Sequence, residues 1–511
     1  MLIGFNALAE RHKIHLAQPL RVKSIIGSTR TSREANDHLD NQYPTNYQPE
    51  DSFIGHFEFG LKYEEIHLEF FARLFAAIGP EPIEAWCQKA PYGQYARRTG
   101  FLYEWLTGQR LNVPDVDNGA YCTVLPAQSY LVRSTPERVK RWRVNNNLPG
   151  TVDFCPIVRR TPAVQNAIEF DLKTALKALD QQFGADILMR TASWLTFKES
   201  RASFLIEKES EQTDRVQRFA HVIAQHCGHI QNPLSSDSLR TLQAGILGDD
   251  ALGLGLRLSP VFVGQATLRE DLVHYIAPPF AEVAHMLNGL SSFETMTRGA
   301  EPLARAAVIA FGFVYIHPMR DGNGRLHRFL INDSLIRDQA IPPDVILPIS
   351  ATITSSIDFR AGYNKTLDSF SKPFMQRYAA AYRFGPIETF ADGTRSNFIF
   401  DAYEDALFAW RYPDLTAHVL YTSTVVAHTV LTEMAEEARV LVRFQCAQQQ
   451  LKEVLEMPDQ DANRIIRSLK DNNWQLSSKL KKEYPQLTVA VTAERVIEAV
   501  RSGFEAGLDN Q

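Results

Sequence analysis

One short segment of the chain carries most of the residues that could do chemistry. It spans residues 317–328 and holds an ordered set of positions, His–x3–Asp–Gly–Asn–Gly–Arg–x2–Arg. Gly322 and Gly324 allow a sharp turn that brings the backbone close to a ligand. A helix that begins at this turn would direct its unpaired N–H groups and its positive dipole end at that ligand. The segment therefore predicts an anion site suited to phosphate groups.

The charged side chains of this segment fit phosphoryl-type chemistry. Arg325 and Arg328 are three residues apart, so they share one helix face, and their planar forks suit phosphate oxygens. Asp321 would repel a phosphate unless a cation lay between them, which predicts a bound Mg²⁺. His317 could act as general base on an attacking hydroxyl. General base, metal ligand, phosphate hole and arginines are the parts that phosphoryl-type transfer requires.

Helices and a hairpin must position this segment. Residues 303–316 are apolar on almost every face, which predicts a central buried helix that ends directly before His317. A second helix is expected from about residue 323 to 338. Upstream, two runs rich in β-branched and aromatic residues, 260–264 and 272–276, are joined by a polar stretch and stopped by two prolines. These runs predict a β-hairpin inside an otherwise helical protein.

Composition and charge argue against several classes of protein. The chain has 511 residues and a formal net charge of -5, which disfavours a protein that coats nucleic acid by bulk charge. Its five cysteines include no CxxC pair, so neither a disulfide framework nor a four-cysteine zinc site is expected. We find no signal peptide and no apolar run of about 18 residues. We therefore expect a cytoplasmic protein without a membrane span.

The segment 317–328 resembles the signature of the Fic family, HxFx(D/E)GNGRxxR, and matches it at every polar position. Its departure is Met319, where the family usually has phenylalanine, and methionine is a tolerable apolar filler there. The hairpin near 261–277, followed by Pro278-Pro279, is similar to the flap of this family. The resemblance covers roughly residues 185–385. It implies a mainly α-helical bundle with a small β-hairpin flap.

The resemblance also implies an activity, protein adenylyltransferase. His317 would deprotonate a Ser, Thr or Tyr hydroxyl of a target protein, and the hydroxyl would attack the α-phosphate of ATP and release pyrophosphate. Asp321 would hold Mg²⁺. The residues implied to bind ATP are Gly322, Asn323, Gly324, Arg325, Arg328 and, near the adenine, Tyr363. The flap residues implied to bind the target as an added strand are Val263, Gly264, Gln265 and Ala266.

A second resemblance concerns control of the activity. Many Fic proteins carry an inhibitory helix with the motif (S/T)xxxE(G/N), whose glutamate pairs with the second arginine of the signature. Ser203 and Glu207 fit SxxxE, although Lys208 stands where glycine or asparagine is usual. A pair between Glu207 and Arg328 would occupy the fork that the γ-phosphate needs. We therefore expect autoinhibition through Glu207.

The rest of the chain is less informative. We expect a partly helical N-terminal region over 1–160, a Fic domain over 161–388 with an inhibitory helix near 195–210, and a helical C-terminal region over 389–511. Basic residues around Trp474 could form a helix-turn-helix-like nucleic-acid module, but a solvated basic face is the simpler interpretation. The run His226-Cys-Gly-His lacks the spacing and the fourth ligand of a metal site, so a surface turn is favoured.

Three functions stay open at this point. The favoured one is a Mg²⁺-dependent protein adenylyltransferase that modifies another protein or itself, with a homodimer as one assembly. The same site could instead remove AMP, or transfer UMP, phosphocholine or phosphate, because the signature does not read the base. A non-catalytic regulatory or nucleic-acid-binding protein is disfavoured, because it would need neither His317 nor Asp321.

Overall fold

The chain folds mainly into α-helices, which confirms the fold class expected from the sequence. The computed structural model describes residues 1–35, 38–184, 186–207, 213–248, 251, 253–266 and 271–509. Within these ranges the strands form four small sheets of two to four strands. No helix of the described ranges combines the length and the apolar character that crossing a bilayer requires.

The N-terminal region has a hydrophobic core of its own, rich in phenylalanine. Phe57, for example, lies with its ring centroid 5.0 Å from that of Phe71. The helices of this region are α1 (Gly4–Arg11), α2 (Phe53–Tyr63), α3 (Leu68–Ile78), α4 (Glu81–Lys89) and α5 (Gln94–Thr107). Its strands are β1 (Leu2–Ile3), β2 (Val22–Gly27), β3 (Thr31–Ala35), β4 (His38–Pro44), β5 (Cys122–Thr123), β6 (Glu137–Val139) and β7 (Val144–Asn146).

The largest core lies in the central helical bundle that follows. Its first helices are α6 (Pro162–Ile168), α7 (Leu172–Phe183), α8 (Ile187–Ile206), α9 (Thr213–His226) and α10 (Ser236–Leu247). The hairpin strands β8 (Phe262–Ala266) and β9 (Asp271–Ile276) come next. They pair antiparallel, so the hairpin predicted near 261–277 is present. The helices that follow are α11 (Val283–Met296), α12 (Pro302–Ile316), α13 (Asn323–Arg337), α14 (Ile349–Ser355) and α15 (Ile357–Tyr378).

Helix α12 is the central helix of the bundle, as its apolar composition predicts. All of its residues except Pro302 and Val314 are buried. Pro302 stands at the first helical position, where its missing N–H costs no hydrogen bond. Gly312 allows a close approach, because a Cβ at this position would lie 2.9 Å from side-chain atoms of Leu290 and Phe154. A helix packed on every side gives a rigid support for the residue that follows it, His317.

A second hairpin follows the bundle where the sequence analysis expected only helix. Its strands are β10 (Tyr382–Thr389) and β11 (Arg395–Phe400), which pair antiparallel. The flap residue Phe262 lies against this hairpin, with ring centroids 4.7 Å from Phe398 and 5.7 Å from Phe384. Aromatic residues that alternate along the second hairpin, such as Phe398 and Phe400, provide the surface for this packing. The C-terminal region, expected to be helical from residue 389 onward, therefore begins with strand β11 before its helices.

The central core also extends beyond the domain boundary expected at residue 388. The later elements are α16 (Tyr403–Arg411), α17 (Thr416–His428), a π-helical turn (Thr429–Met434) and α18 (Ala435–Val454). Trp410, Val419 and Ala438 belong to the same core as α12. Helical periodicity shows that a segment is amphipathic but not which core it joins, so the domain bounds taken from the sequence stay a prediction.

A small separate core closes the chain. It is built from the end of α18 and from α19 (Asp459–Asp471), α20 (Ser478–Glu483) and α21 (Ala490–Asp509). The basic side chains noted in the sequence, such as Arg467 and Lys481, are exposed here. Arg464 pairs with Glu483 at 2.8 Å. A helix-turn-helix-like role for this unit stays a prediction.

Candidate active site

His317 is placed by the end of helix α12. It is the C-cap residue of this helix and adopts the left-handed conformation, with φ 49 and ψ 57. Its backbone N–H closes the last helical turn on the carbonyl of Phe313. Its Nδ1–H donates to the carbonyl of Val314 at 3.2 Å. A proton held on Nδ1 leaves the lone pair of Nε2 available to accept a proton.

The surroundings of His317 favour a neutral imidazole. Burial, together with the positive charge of Arg257, lowers its pKa to about 4, although the hydrogen bond to Val314 and the charges of Glu207 and Asp321 act in the opposite direction. The ring is therefore unprotonated at neutral pH. An unprotonated ring is the form that a general base requires.

The turn after His317 is shaped by a two-way hydrogen bond. Asn323 accepts from the backbone N–H of Met319 at 3.0 Å and donates to the carbonyl of Met319 at 2.7 Å. Met319 itself is fully buried in the central core, so it anchors the turn as the apolar filler that was expected. The side chain of Asn323 is thus committed to the turn. The expectation that Asn323 lines the phosphate hole therefore holds at most for its backbone.

Removing this clamp should destabilise the protein measurably. Asn323→Ala is expected to cost about 1–3 kcal/mol, because both polar groups of Met319 lose a buried partner. The free energy of unfolding, from denaturant titration followed by circular dichroism, measures this loss. Asn332→Ala is the matched control. Asn332 lies on the same helix as Asn323, and its side-chain amide likewise donates to the backbone carbonyl and accepts from the backbone N–H of one residue, Leu347. Amide exchange at residues 317–322 should speed up only in Asn323→Ala, and equal exchange in both variants would contradict this role.

The start of α13 lies where the sequence predicts an anion hole. Gly322, with φ 90, caps the helix, and Leu326 donates to the carbonyl of Gly322 in its first turn. The N–H groups of residues 323–325 precede any possible i−4 acceptor in this helix. Gln243, which is buried, supports the turn by donating to the carbonyl of Asp321 at 2.8 Å while accepting from Gly255 at 2.7 Å. No sequence pattern indicated this role of Gln243.

Asp321 is the carboxylate best placed to meet a cation. Its side chain is 61% exposed and lies 3.0 Å from Nη2 of Arg325. It also accepts from the N–H of Gly322 at 2.6 Å. Among the described residues, no group of three or more His, Cys, Asp or Glu could hold a metal ion alone. One exposed carboxylate beside an anion hole fits Mg²⁺, which usually takes one or two carboxylates together with substrate phosphates and water.

Arg325 and Arg328 are both buried against helix α8. The guanidinium of Arg325 lies 5.0 Å from the ring centroid of Phe204. Arg328 donates from Nε to the hydroxyl of Ser203 at 2.7 Å and from Nη2 to Oε1 of Glu207 at 2.6 Å. The structure therefore brings Ser203, Glu207 and Arg328 together, as the resemblance implied. Lys208 lies outside the described residues.

Glu207 occupies the mouth of the anion hole. Burial raises its pKa, but the attraction and hydrogen bond of Arg328, together with the charge of Arg325, outweigh this effect and lower the pKa below its ordinary value. The carboxylate is therefore ionised at neutral pH. A Cβ added at Gly324 would overlap this carboxylate, so Glu207 packs directly on the backbone at the start of α13. An anion thus already lies where a phosphate is expected.

Helix α8 is fastened to the bundle on several sides. Glu199 accepts from the backbone N–H and the hydroxyl of Ser350, each at 2.6 Å. Arg360 donates to the carbonyl of Ile206, at the end of α8, at 2.7 Å. Lys198 pairs with Glu437 of α18 at 2.6 Å. The position of Glu207 therefore depends on contacts with α14, α15 and α18, which no local motif indicates.

The flap is linked to the site through the residues that precede it. Leu256 forms a β-bridge with Met319, so the chain pairs with the turn before it enters β8. In the flap, Val263 pairs with Tyr275 and Gly264 with Val273, while Gln265 and Ala266 continue the strand. The side chain of Val263 is exposed. Residues 267–270 at the flap tip lie outside the described residues.

Tyr363 lies deeper than the resemblance suggested. It is buried in an aromatic cluster, with ring centroids 6.3 Å from Phe311 and His327 and 6.2 Å from Tyr421. Burial raises the pKa of its hydroxyl, although the charge of Arg328 lowers it. Tyr363 therefore lies inside the bundle close to Arg328, and its role near the adenine stays a prediction. His327 is a buried packing residue of the same cluster.

The site is thus defined by a buried helix, a glycine turn and a helix start, with a flap on one side and α8 on the other. The family profile described as Fic/DOC matches residues 233–335, which include the flap, α12 and most of α13. Residues 233–335 therefore resemble the Fic family, and the signature at 317–328 lies within this matched part of the chain.

Named relatives resemble only part of the chain. Over 172 residues the chain is 29% identical to protein adenylyltransferase fic-1 of Caenorhabditis briggsae, covering 32% of this chain and 30% of that protein. The same coverage and identity hold over 170 residues for fic-1 of Caenorhabditis elegans. The match thus spans less than a third of these curated relatives. A Fic family protein from Desulfovibrio desulfuricans G20 is 17% identical in crystal structure, with 56% of this chain and 79% of that chain covered and a TM-score of 0.36.

Proposed function

We propose that this protein is a Mg²⁺-dependent protein adenylyltransferase, which transfers AMP from ATP to a hydroxyl side chain of a protein. The observation that carries the proposal is the meeting of a neutral His317 with a helix N-terminus lined by Arg325 and Arg328. A base beside an anion hole suits the attack of a hydroxyl on a phosphorus atom. The name of the fic-1 relatives supports the same activity.

The reaction assigns one task to each group. Nε2 of His317 takes the proton as the target oxygen forms its bond to the α-phosphorus of ATP. The bond from the α-phosphorus to the oxygen that bridges to the β-phosphate breaks, and pyrophosphate leaves with that oxygen. The N–H groups at the start of α13 and the guanidinium of Arg328 hold the phosphates. Asp321 would hold Mg²⁺, which neutralises phosphate charge.

Glu207 would restrain this reaction in the resting protein. Its ionised carboxylate accepts from Nη2 of Arg328 and packs on Gly324. The phosphates of ATP would need both this guanidinium and the backbone at Gly324. ATP could then bind only in a shifted position, or with its phosphates close to a negative charge. The proposal therefore includes autoinhibition by α8.

Position-specific labels test the transferred group. The Glu207→Gly variant is incubated with cell lysate and with ATP labelled at the α- or the γ-phosphate, and in parallel with labelled UTP and GTP. Protein labelled from α-labelled ATP but not from γ-labelled ATP supports the proposal. Labelling from the γ-phosphate or from UTP would assign the site to a different transfer. No labelling from any nucleotide would overturn an enzymatic role of this site in protein modification.

Removing the metal should stop the transfer. Chelation with EDTA is expected to abolish labelling, and added Mg²⁺ to restore it, because phosphate charge would be left without a counter-ion. Asp321→Asn should need about tenfold more Mg²⁺ for half-maximal rate, since one charged ligand is lost. Asp237→Asn is the control, because Asp237 is an exposed carboxylate at the start of α10. A transfer rate that is insensitive to EDTA would contradict the metal assignment.

A further inference from the structure

Arg257, in the segment that leads into the flap, is a buried cation to which the transfer reaction described above assigns no role. It is 1% exposed, yet no motif in the sequence pointed to it. Its Nε donates to the carbonyl of His317 at 2.7 Å. Its Nη2 donates to the carbonyls of Pro278 at 2.6 Å and Ile316 at 3.4 Å, and its Nη1 donates to Ser259 at 3.1 Å.

The acceptors of this guanidinium are main-chain carbonyls from two different places. Ile316 and His317 end helix α12, where the negative end of the helix dipole suits a cation. Ser259 stands just before β8 and Pro278 just after β9, so these two carbonyls form the base of the flap. The backbone N–H of Arg257 also donates to Pro318 at 2.9 Å. One side chain therefore joins both ends of the flap to the backbone of His317, the proposed general base.

The charge of Arg257 is retained at neutral pH. Burial lowers its pKa to about 10, and the charged or ionisable groups that raise it are Tyr403, Tyr275 and Asp392. Asp392 sits on the turn of the second hairpin and accepts from the N–H of Leu258, the next residue along the chain. Burying a cation is costly unless its donors are satisfied, and here four carbonyl groups satisfy them. So costly a group is better explained by a need for a fixed geometry than by stability alone.

We propose that Arg257 is a positioning residue, which locks the base of the flap to the backbone of His317. A target segment that pairs with the flap would then present its hydroxyl at a fixed place relative to Nε2. This inference rests on the proposed function, because it assumes transfer to a segment bound at the flap. It assigns a role in the reaction to a residue outside the signature. Through Arg257 the two ends of the flap are hydrogen-bonded to the backbone of the proposed general base, His317.

The alternative is that Arg257 only caps the end of α12. A simple cap would affect stability and the exchange of residues near 316–318, but it would not tie the flap to them. The two readings differ in which backbone segments loosen together and in whether the rate falls per folded molecule. Both differences can be measured in the full chain.

The kinetic test compares Arg257→Met and Arg257→Lys in the Glu207→Gly background with α-labelled ATP and lysate. Arg257→Met should lower the maximal rate by about 10- to 100-fold per folded molecule, because a displacement of about 1 Å can cost 10²-fold. The KM for ATP should stay within about twofold, since the phosphates bind elsewhere. Arg257→Lys should rescue the rate in part, because one ammonium can reach some of the carbonyls but not all. Parental rates in both variants would overturn the proposal.

A matched control separates positioning from stability. Arg305→Met removes another buried arginine from the far end of α12, where it pairs with Asp338 at 2.6 Å. It should lower the melting temperature but leave the rate per folded molecule near the parental value. If Arg257→Met does not fold, Arg257→Lys decides alone. A folded lysine variant with the parental rate would then contradict the proposal.

Amide exchange gives a readout that needs no activity. In Arg257→Lys, measured by mass spectrometry, exchange should speed up together in residues 258–262, 275–279 and 316–320. Acceleration confined to 316–320 would support the simple cap and overturn the proposal. If the Glu207→Gly parent itself transfers no nucleotide, the proposed function fails, and the exchange pattern still decides whether Arg257 couples the two segments.

Discussion

Glu207→Gly is expected to raise the rate of AMP transfer by about 10- to 100-fold, the range of a coupling free energy of ~1–3 kcal/mol. The variant removes the carboxylate that holds Nη2 of Arg328 at 2.6 Å and that packs on Gly324. Both the arginine fork and the helix start then become available to the phosphates of ATP. The measurement is the initial rate of label incorporation from α-labelled ATP at saturating Mg²⁺, with both proteins side by side.

A glycine in a helix also loosens the backbone, so this prediction needs a matched control. Leu205→Gly places the same residue in the last turn of α8 at a side chain that is 45% exposed. It should cost a comparable backbone stability, about 1 kcal/mol, without removing a charge. We expect it to leave the rate close to that of the unmodified protein. Equal activation by Leu205→Gly, or no activation by Glu207→Gly, would contradict the inhibitory role of the carboxylate.

The pairing of Glu207 with Arg328 also predicts the effect of replacing Arg328 in the same assay. Arg328 serves the restraint in one state and the phosphates in the other, so Arg328→Ala should not mimic Glu207→Gly. Added to Glu207→Gly, it should cancel the gain, because the fork that ATP needs is then missing. Activation by Arg328→Ala alone would mean that the arginine has no part in binding ATP.

Replacing His317 has the opposite and largest expected effect. His317→Asn in the Glu207→Gly background should lower AMP transfer by about 10³-fold, within the usual contribution of a general base. Asparagine is the better replacement here, because it tolerates the left-handed backbone of residue 317 more readily than alanine. The loss should appear in the maximal rate, with the KM for ATP little changed. Retention of a tenth of the rate or more would exclude His317 as the base.

The same imidazole predicts the pH dependence of the active variant. Because burial lowers the pKa of His317 to about 4, the base stays unprotonated well below the pH at which an ordinary histidine gains a proton. The rate at low ATP, which reports the free enzyme, should therefore fall only as the pH approaches 4 rather than near 6.5. Loss of Glu207 removes a charge that raises this pKa, so the acidic limb of the pH–rate profile should not move to higher pH. A limb near pH 6.5 would contradict a buried neutral base.

The sequence predicted the features that depend on local patterns. The apolar composition of 303–316 predicted a buried helix, and the β-branched and aromatic runs within 260–276 predicted the hairpin. The glycine turn predicted a helix start with free N–H groups, and this is where α13 begins. The spacing of Ser203 and Glu207 placed them one helical turn apart, on one face of α8. Their meeting with Arg328 was implied only by resemblance to a family, because 121 positions separate Glu207 from Arg328.

Long-range packing decided what these patterns could not. Asparagine is a residue type that could bind phosphate, but both polar atoms of the Asn323 side chain bond to the backbone of Met319 and hold the turn instead. Tyr363 lies behind Arg328 because the bundle buries its ring among Phe311, His327 and Tyr421. The second hairpin was not predicted, and the central core continues past residue 388, because an amphipathic pattern does not show which core a segment will join.

The sequence by itself thus predicted the chemistry that we propose for the site. Residue types and their spacing predict a base, a metal ligand and a phosphate hole within twelve consecutive positions, where local geometry follows from the helix and the turn. Only the tertiary structure decided what holds these groups and what obstructs them. Arg257 and Glu207 act on residues 60 and 121 positions away, respectively. Such contacts depend on how whole helices and a hairpin pack together, and no local spacing encodes that.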